Sequence, residues 1–221
     1  MKSILLHVIF FASHAFAFRP PLPSYLKKTR SFPVMSTMEG SATDSSPIEE
    51  EGIFSELSRV EIRTGKILEV SSHPTLEKIF VEKIDLNEEE GPRTICSGLV
   101  GYVSEADLIG ADVVVLCNLK PRDLEGVPSN GMVLCASNDD HTMVKLVVPP
   151  SGTPAGTLVT FSGHLNKPDP AGNRAVKAWK KIGKSFFTDS DGVACFTGEP
   201  SAPFMTPLGP CTSAISSGPI S

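Results

Sequence analysis

Residues Val113 to Ser137 constrain the fold most. Val113–Cys117 and Met132–Ala136 are short apolar runs, separated by the polar, Pro- and Gly-bearing insert NLKPRDLEGVPSNG. Runs this short between turn formers predict strands. The insert predicts a functional loop joining them, since binding residues concentrate on loops held by a rigid scaffold. It offers Asn118, Lys120, Arg122, Ser129 and Asn130, donors suited to phosphate, sugar or base edges. It holds no nucleophile paired with a general base, so the stretch reads as a binding surface and no catalytic residue is assigned.

Further strands surround this pair. In Val60–Val70, VEIRTGKILEV, apolar and polar residues alternate around Gly65, which predicts a half-buried strand with a bend or bulge of the kind that turns a barrel corner. Ile79–Leu86 and Arg93–Ser97 read as strands flanking the solvated tip NEEEGP. His73, before Pro74, reads as a polar turn residue. Ser104-Glu105-Ala106-Asp107-Leu108 predicts a short helix capped by Ser104 and ended at Gly110. Five strands with a helix between the third and fourth is the element order of the OB-fold, a small Greek-key barrel. Val144–Val148 and Leu158–Phe161 are two more strand-like runs.

The first 17 residues have the layout of a signal peptide: Lys2, the apolar run Ile4–Phe11, then Ala15 and Ala17 in an A-x-A arrangement. The run is too short to span a bilayer as a helix, and the mature protein is expected not to be membrane-bound. From Phe18 the chain is basic and hydroxyl-bearing and free of acid until Glu39, as transit peptides are. The junction SHAFAFRP resembles the Phe-centred cleavage motif of bipartite presequences that direct proteins into complex plastids, which makes plastid import the expected destination and secretion the alternative. Residues 18–54 are read as transit peptide and linker, with the fold beginning at 55.

The 221-residue chain carries a formal charge of −5, so any nucleic-acid contact requires a local basic patch on an acidic body. The one sizeable basic cluster after the leader lies in the tail. There Asp169-Pro170 is expected to open a helix, Val176, Trp179 and Ile182 share one face, and Arg174, Lys177, Lys180, Lys181 and Lys184 occupy the others. Cys96, Cys117, Cys135, Cys195 and Cys211 form no CxxC pair and have no His at metal-ligand spacing, so no metal or other cofactor is expected and the thiols read as buried and free. An enzyme acting through Cys96 or His73 would need a partner group that the sequence does not supply.

The blocks VEIRTGKI, HPTLEKIFVEKIDL, PRTICSGLV, VVVLCNLKPRDLEGVPSNGMVLCAS and PPSGTPAGTLVTF resemble, in order and spacing, the tRNA-binding domain of endothelial monocyte-activating polypeptide II, of the yeast tRNA-aminoacylation cofactor of the same type, and of the C-terminal appendage of some methionyl-tRNA synthetases. The tail KAWKKIGKSFFTDSDGVACFTGEP resembles the C-terminal extension of the polypeptide II type, which in that family packs on the barrel and imitates the second subunit of dimeric relatives.

The resemblance implies a mainly β protein: an OB-fold five-stranded barrel over residues 55–162, with an extension over 163–221 packed on it. It implies a monomer if the extension mimics the dimer interface. It further implies non-catalytic tRNA binding, as an accessory to an aminoacyl-tRNA synthetase or a tRNA chaperone; the alternative is an interaction scaffold with weak RNA affinity. The expected tRNA contacts are Arg63, Lys66, Ser97, Asn118, Lys120, Arg122, Ser129 and Asn130, with Lys177, Lys180 and Lys181 of the tail. Two departures stand out. Glu125 replaces a basic residue of the polypeptide II type, and RTGKILE differs from that type's cytokine heptapeptide.

Overall fold

The computed structural model describes residues 52–221; the expected leader 1–17 and nearly all of segment 18–54 lie outside the described residues. The fold is organised by β1 (Ile62–Ser72), whose two halves serve different neighbours. Its first half pairs antiparallel with β4 (Asp112–Leu116), and its second half with β2 (Phe80–Asp85), with a register irregularity between Ile67 and Glu69. Strands β3 (Arg93–Ser97) and β7 (Met132–Val133) complete the sheet order β3-β2-β1-β4-β7. Gly65 lies on β1 ahead of the Ile67–Glu69 irregularity, close against core side chains of the barrel. A Cβ there would come within 2.8 Å of Ile84 Cγ2 and 2.9 Å of Leu86 Cδ2, so only hydrogen fits. The barrel closes between β3 and residues 129–130: the amide of Cys96 donates to Ser129 Oγ at 3.0 Å, and the amide of Asn130 to Thr94 O at 2.9 Å.

The two-sided burial of β4 explains why Val113–Cys117 is an unbroken apolar run. Val113, Val115 and Cys117 point into the barrel with Ile67, Ile84 and Ile95, while Val114 and Leu116 point outward into a second core. That outer core is supplied by the C-terminal segment: α2 (Asn173–Ile182), β10 (Phe186–Thr188), β11 (Ala194–Phe196) and β12 (Ala202–Pro203). Phe186 is wholly buried at its centre, edge-on to Phe196 at 5.7 Å and Phe204 at 5.0 Å between ring centroids. The last residues return to β8 (Cys135–Ser137), where Ser137 N donates to Pro219 O and Cys135 N to Ser221 O. The extension thus packs on the barrel and shares its hydrogen bonding.

Several expectations are refined. The fold begins before residue 55: Ile53 N donates to Gly163 O and Leu165 N to Ile53 O, which also carries the fold across the expected boundary at 162. The short helix, α1 (Glu105–Leu108), is as read, with the Ser104 side chain accepting from Asp107 N and Gly110 at φ +81. The tail helix starts at Asn173, not at Asp169-Pro170. Asp169 is committed elsewhere, its carboxylate to Arg59 at 3.1 Å and its carbonyl to Asn118. Its fully buried positions are Ala175, Ala178 and Ile182; Val176 and Trp179 flank them half-buried. The small residues allow the helix to lie close against the 3-10 turn Leu57–Arg59. All five cysteines are free; Cys117, Cys135 and Cys211 are buried, and burial pushes each of these thiols up to about 12.

Candidate functional site

The insert between β4 and β7 is a structured hairpin and not an open loop. Strands β5 (Arg122–Leu124) and β6 (Val127–Ser129) pair Arg122 with Ser129 and Leu124 with Val127, leaving Glu125-Gly126 as a two-residue turn. Both turn residues lie in the left-handed region, at φ 46 and 91, as a twist-matched hairpin turn requires. Gly126 supplies the second position without strain. Its amide is held by Asp123 Oδ1 at 2.8 Å.

The eleven expected contact residues separate into distinct environments. Lys120 and Arg122 are exposed on the hairpin arm and form no ion pair among the described residues. Asn118 is 1% exposed, so its expected role as a ligand donor is corrected. Its Oδ1 accepts from Glu61 N at 2.9 Å, and its Nδ2 donates to Arg59 O at 2.8 Å and Asp169 O at 2.9 Å. Every strong position on the amide is spent on backbone, which makes Asn118 a pin between β1, the hairpin arm and the approach to α2. Ser129 is likewise buried, its hydroxyl accepting from Cys96 N and donating to Gly131 O. Asn130 is half-buried, with its backbone engaged at both N and O. Ser97 donates to Glu82 Oε1 at 2.6 Å and is occupied in that bond.

The remaining cations differ in how free they are. Arg63 is paired with Glu61 at 2.5 Å, Lys66 with Asp112 at 2.7 Å and Lys181 with Glu56 at 2.5 Å. Lys177 and Lys181 join Arg174 and Arg59 around a hollow of about 240 Å³ between α2 and the 3-10 turn, while Lys180 is exposed outside its lining. The hairpin arm and α2 meet: Leu119 bridges Gly172, and Gly172 N donates to Asn118 O at 3.1 Å. A cleft of about 560 Å³ opens at this junction, lined among others by Arg93, Thr94, Leu119, Pro121, Asn130 and Ala171.

Two organising residues were not legible as such. Arg93 forms a bidentate pair with Glu88 at 2.6 and 2.7 Å, and its third nitrogen donates to Cys117 O and Asn130 O. It thereby clamps both ends of the insert to the start of β3. His73, read as a turn residue, is buried and reaches the hairpin tip. Both of its ring nitrogens are committed, and burial raises the Cys96 thiol, so neither is equipped as a base or nucleophile. What the arrangement can do is present exposed cations to a polyanion.

Comparison with known proteins agrees with this geometry. Residues 62–158 match a family described as "Putative tRNA binding domain". The chain is 39% identical over 165 residues to the cytoplasmic methionine–tRNA ligase of Arabidopsis thaliana, covering 74% of this chain and 20% of that protein. It is 35% identical over 159 residues to the aminoacyl tRNA synthase complex-interacting multifunctional protein 1 of Cricetulus griseus, covering 72% of this chain and 42% of that one. The chain therefore spans less than half of either curated relative. Among solved structures, the C-terminal domain of Plasmodium vivax p43 superposes with a TM-score of 0.68 at 30% identity, over 75% of this chain and 98% of that domain.

Proposed function

The chain belongs to the tRNA-binding-domain family, and from that premise we propose that it binds tRNA without acting chemically on it, as an accessory to an aminoacyl-tRNA synthetase or as a tRNA chaperone. One observation carries the reading. The family-matched barrel holds Lys120 and Arg122 exposed, and without an ion pair among the described residues, on a hairpin that is hydrogen-bonded at its base, beside the cation-bearing helix α2. Phosphate recognition needs cations in fixed places, and an acidic body with a local basic edge supplies them without general affinity for polyanions.

The expected behaviour is a salt-dependent affinity. Filter binding across a salt series should give a straight line of log affinity against log salt concentration. Replacing Lys120 and Arg122 together by alanine should lower its slope by about 2, at roughly 0.9 per phosphate contact, and weaken different tRNAs alike. Affinity indifferent to salt, or an unchanged double variant, would sink the mechanism. A second reading, a scaffold with weak RNA affinity, is favoured by the ion pairs that neutralise Arg63, Lys66 and Lys181. Co-purification with a synthetase but with no retained RNA would select it.

The site of action in this reading is a complex plastid, reached through the bipartite leader read in residues 1–17 and 18–54. A fusion of residues 1–55 to a fluorescent reporter should enter the plastid; a reporter recovered from the medium would establish secretion instead.

A further inference from the structure

The β5–β6 hairpin is fixed at its base by β3, but a two-stranded hairpin standing alone is marginal in water, and its tip bears Glu125 in a conformation that non-glycine residues rarely adopt. Something must hold the tip. The turn between β1 and β2 does so through His73, which is 5% exposed. Its Nδ1 accepts the amide of Thr75 at 3.2 Å and that of Leu76 at 3.1 Å. A nitrogen that receives two N–H donors carries no proton, so the hydrogen-bond network assigns the ring hydrogen to Nε2. Nε2 lies 2.9 Å from the carbonyl oxygen of Leu124 and donates to it. A second tie lies beside the first: Thr75 Oγ1 donates to Glu125 Oε2 at 2.5 Å. Glu125, which stands where the polypeptide II type carries a basic residue, is thus engaged by the turn.

We propose that His73 is a positioning residue for tRNA binding. Its Nε2-protonated imidazole latches the hairpin tip to the β1–β2 turn, so that Lys120 and Arg122 are presented as one preorganised edge. The proposal rests on the tRNA-binding reading above. A cation on an untethered hairpin must be ordered when it binds, and that ordering is subtracted from the affinity it gives; a latched one is ordered beforehand.

Two substitutions separate the ring's two functions. His73→Asn places Oδ1 where Nδ1 stands, so the turn amides keep their acceptor, but it has no atom at the Nε2 position. His73→Gln does the reverse. His73→Asn should weaken tRNA binding about fivefold, the worth of one net hydrogen bond, and His73→Gln should weaken it less. The deciding readout is coupling, because a merely structural role would shift melting temperature without it. In the full chain, Arg122→Ala should reduce affinity by a smaller factor in the His73→Asn background than in the unaltered protein. An equal factor in both backgrounds overturns the latch. If the unaltered protein shows no dependence on Lys120 or Arg122 at all, the tRNA reading fails first. Should His73→Asn not fold, nitrogen-15 NMR of the unaltered protein still decides: the Nε2–H tautomer is expected at neutral pH, and a ring protonated on Nδ1 overturns the proposal.

Discussion

Asn118→Ala should destabilise the protein by about 2 kcal/mol, taking roughly 1 kcal/mol as the lower bound for each polar group left unsatisfied. Two backbone groups lose their partner at once, the amide of Glu61 and the carbonyl of Asp169, while the Arg59 carbonyl keeps the Asp169 amide at 3.0 Å. For a domain of this size the melting temperature should fall by about 4–8 °C. Asn118→Asp should be at least as damaging, because a carboxylate oxygen would replace Nδ2 against two carbonyl oxygens. The functional consequence separates a pin from a contact. Well below the melting transition, Asn118→Ala should bind tRNA within about threefold of the unaltered protein, a change smaller than one net hydrogen bond. A loss of affinity beyond tenfold with an unshifted melting temperature would return Asn118 to the ligand-contacting face.

Asn118 also marks the limit of what the sequence made legible. The packing of the extension on the barrel was implied by the family resemblance; the element order and the Ser104-capped helix follow from local patterns: alternation, a helix cap, short apolar runs between turn formers. Those patterns are set by residues a few positions apart. The orientation of the polar side chains is not. Asn118, Ser129 and Ser97 face inward because partners far away in sequence, at Arg59, Cys96 and Glu82, offer hydrogen bonds there. A polar residue between strands reads as exposed until those partners are known. The anchoring roles of His73 and Arg93 were hidden for the same reason, since Leu124 and Cys117 become their acceptors only when the barrel closes. Lys120 and Arg122, whose neighbours in the hairpin are nearly all local, stand where the sequence put them.

Glu82→Gln should make the protein more stable at alkaline pH while changing little at acidic pH. Glu82 lies on β2 between the core residues Phe80 and Ile84 and is fully buried. Its Oε1 accepts from Ser97, and its Oε2 has no partner among the described residues. Burial pushes the carboxyl from 4.5 up to about 7, with the Ser97 hydroxyl pulling the other way. Because the folded state holds the proton more tightly than the unfolded chain, the favourable contribution is fully present below pH 4.5 and is lost as the pH rises through about 7. At about 1.4 kcal/mol per pH unit, the loss amounts to roughly 3 kcal/mol by pH 8.5. Glutamine keeps an acceptor for Ser97 and has no charge to bury. Urea unfolding at pH 5 and pH 8.5 should show the gap between variant and unaltered protein opening only at the higher pH. Ion-paired carboxylates elsewhere contribute with the opposite sign, but they are common to both proteins and cancel in the difference. Parallel stability profiles would mean that Glu82 is ionised in the barrel with a compensating partner. A widening gap would mean that Ser97, expected from sequence at the RNA face, serves the interior first.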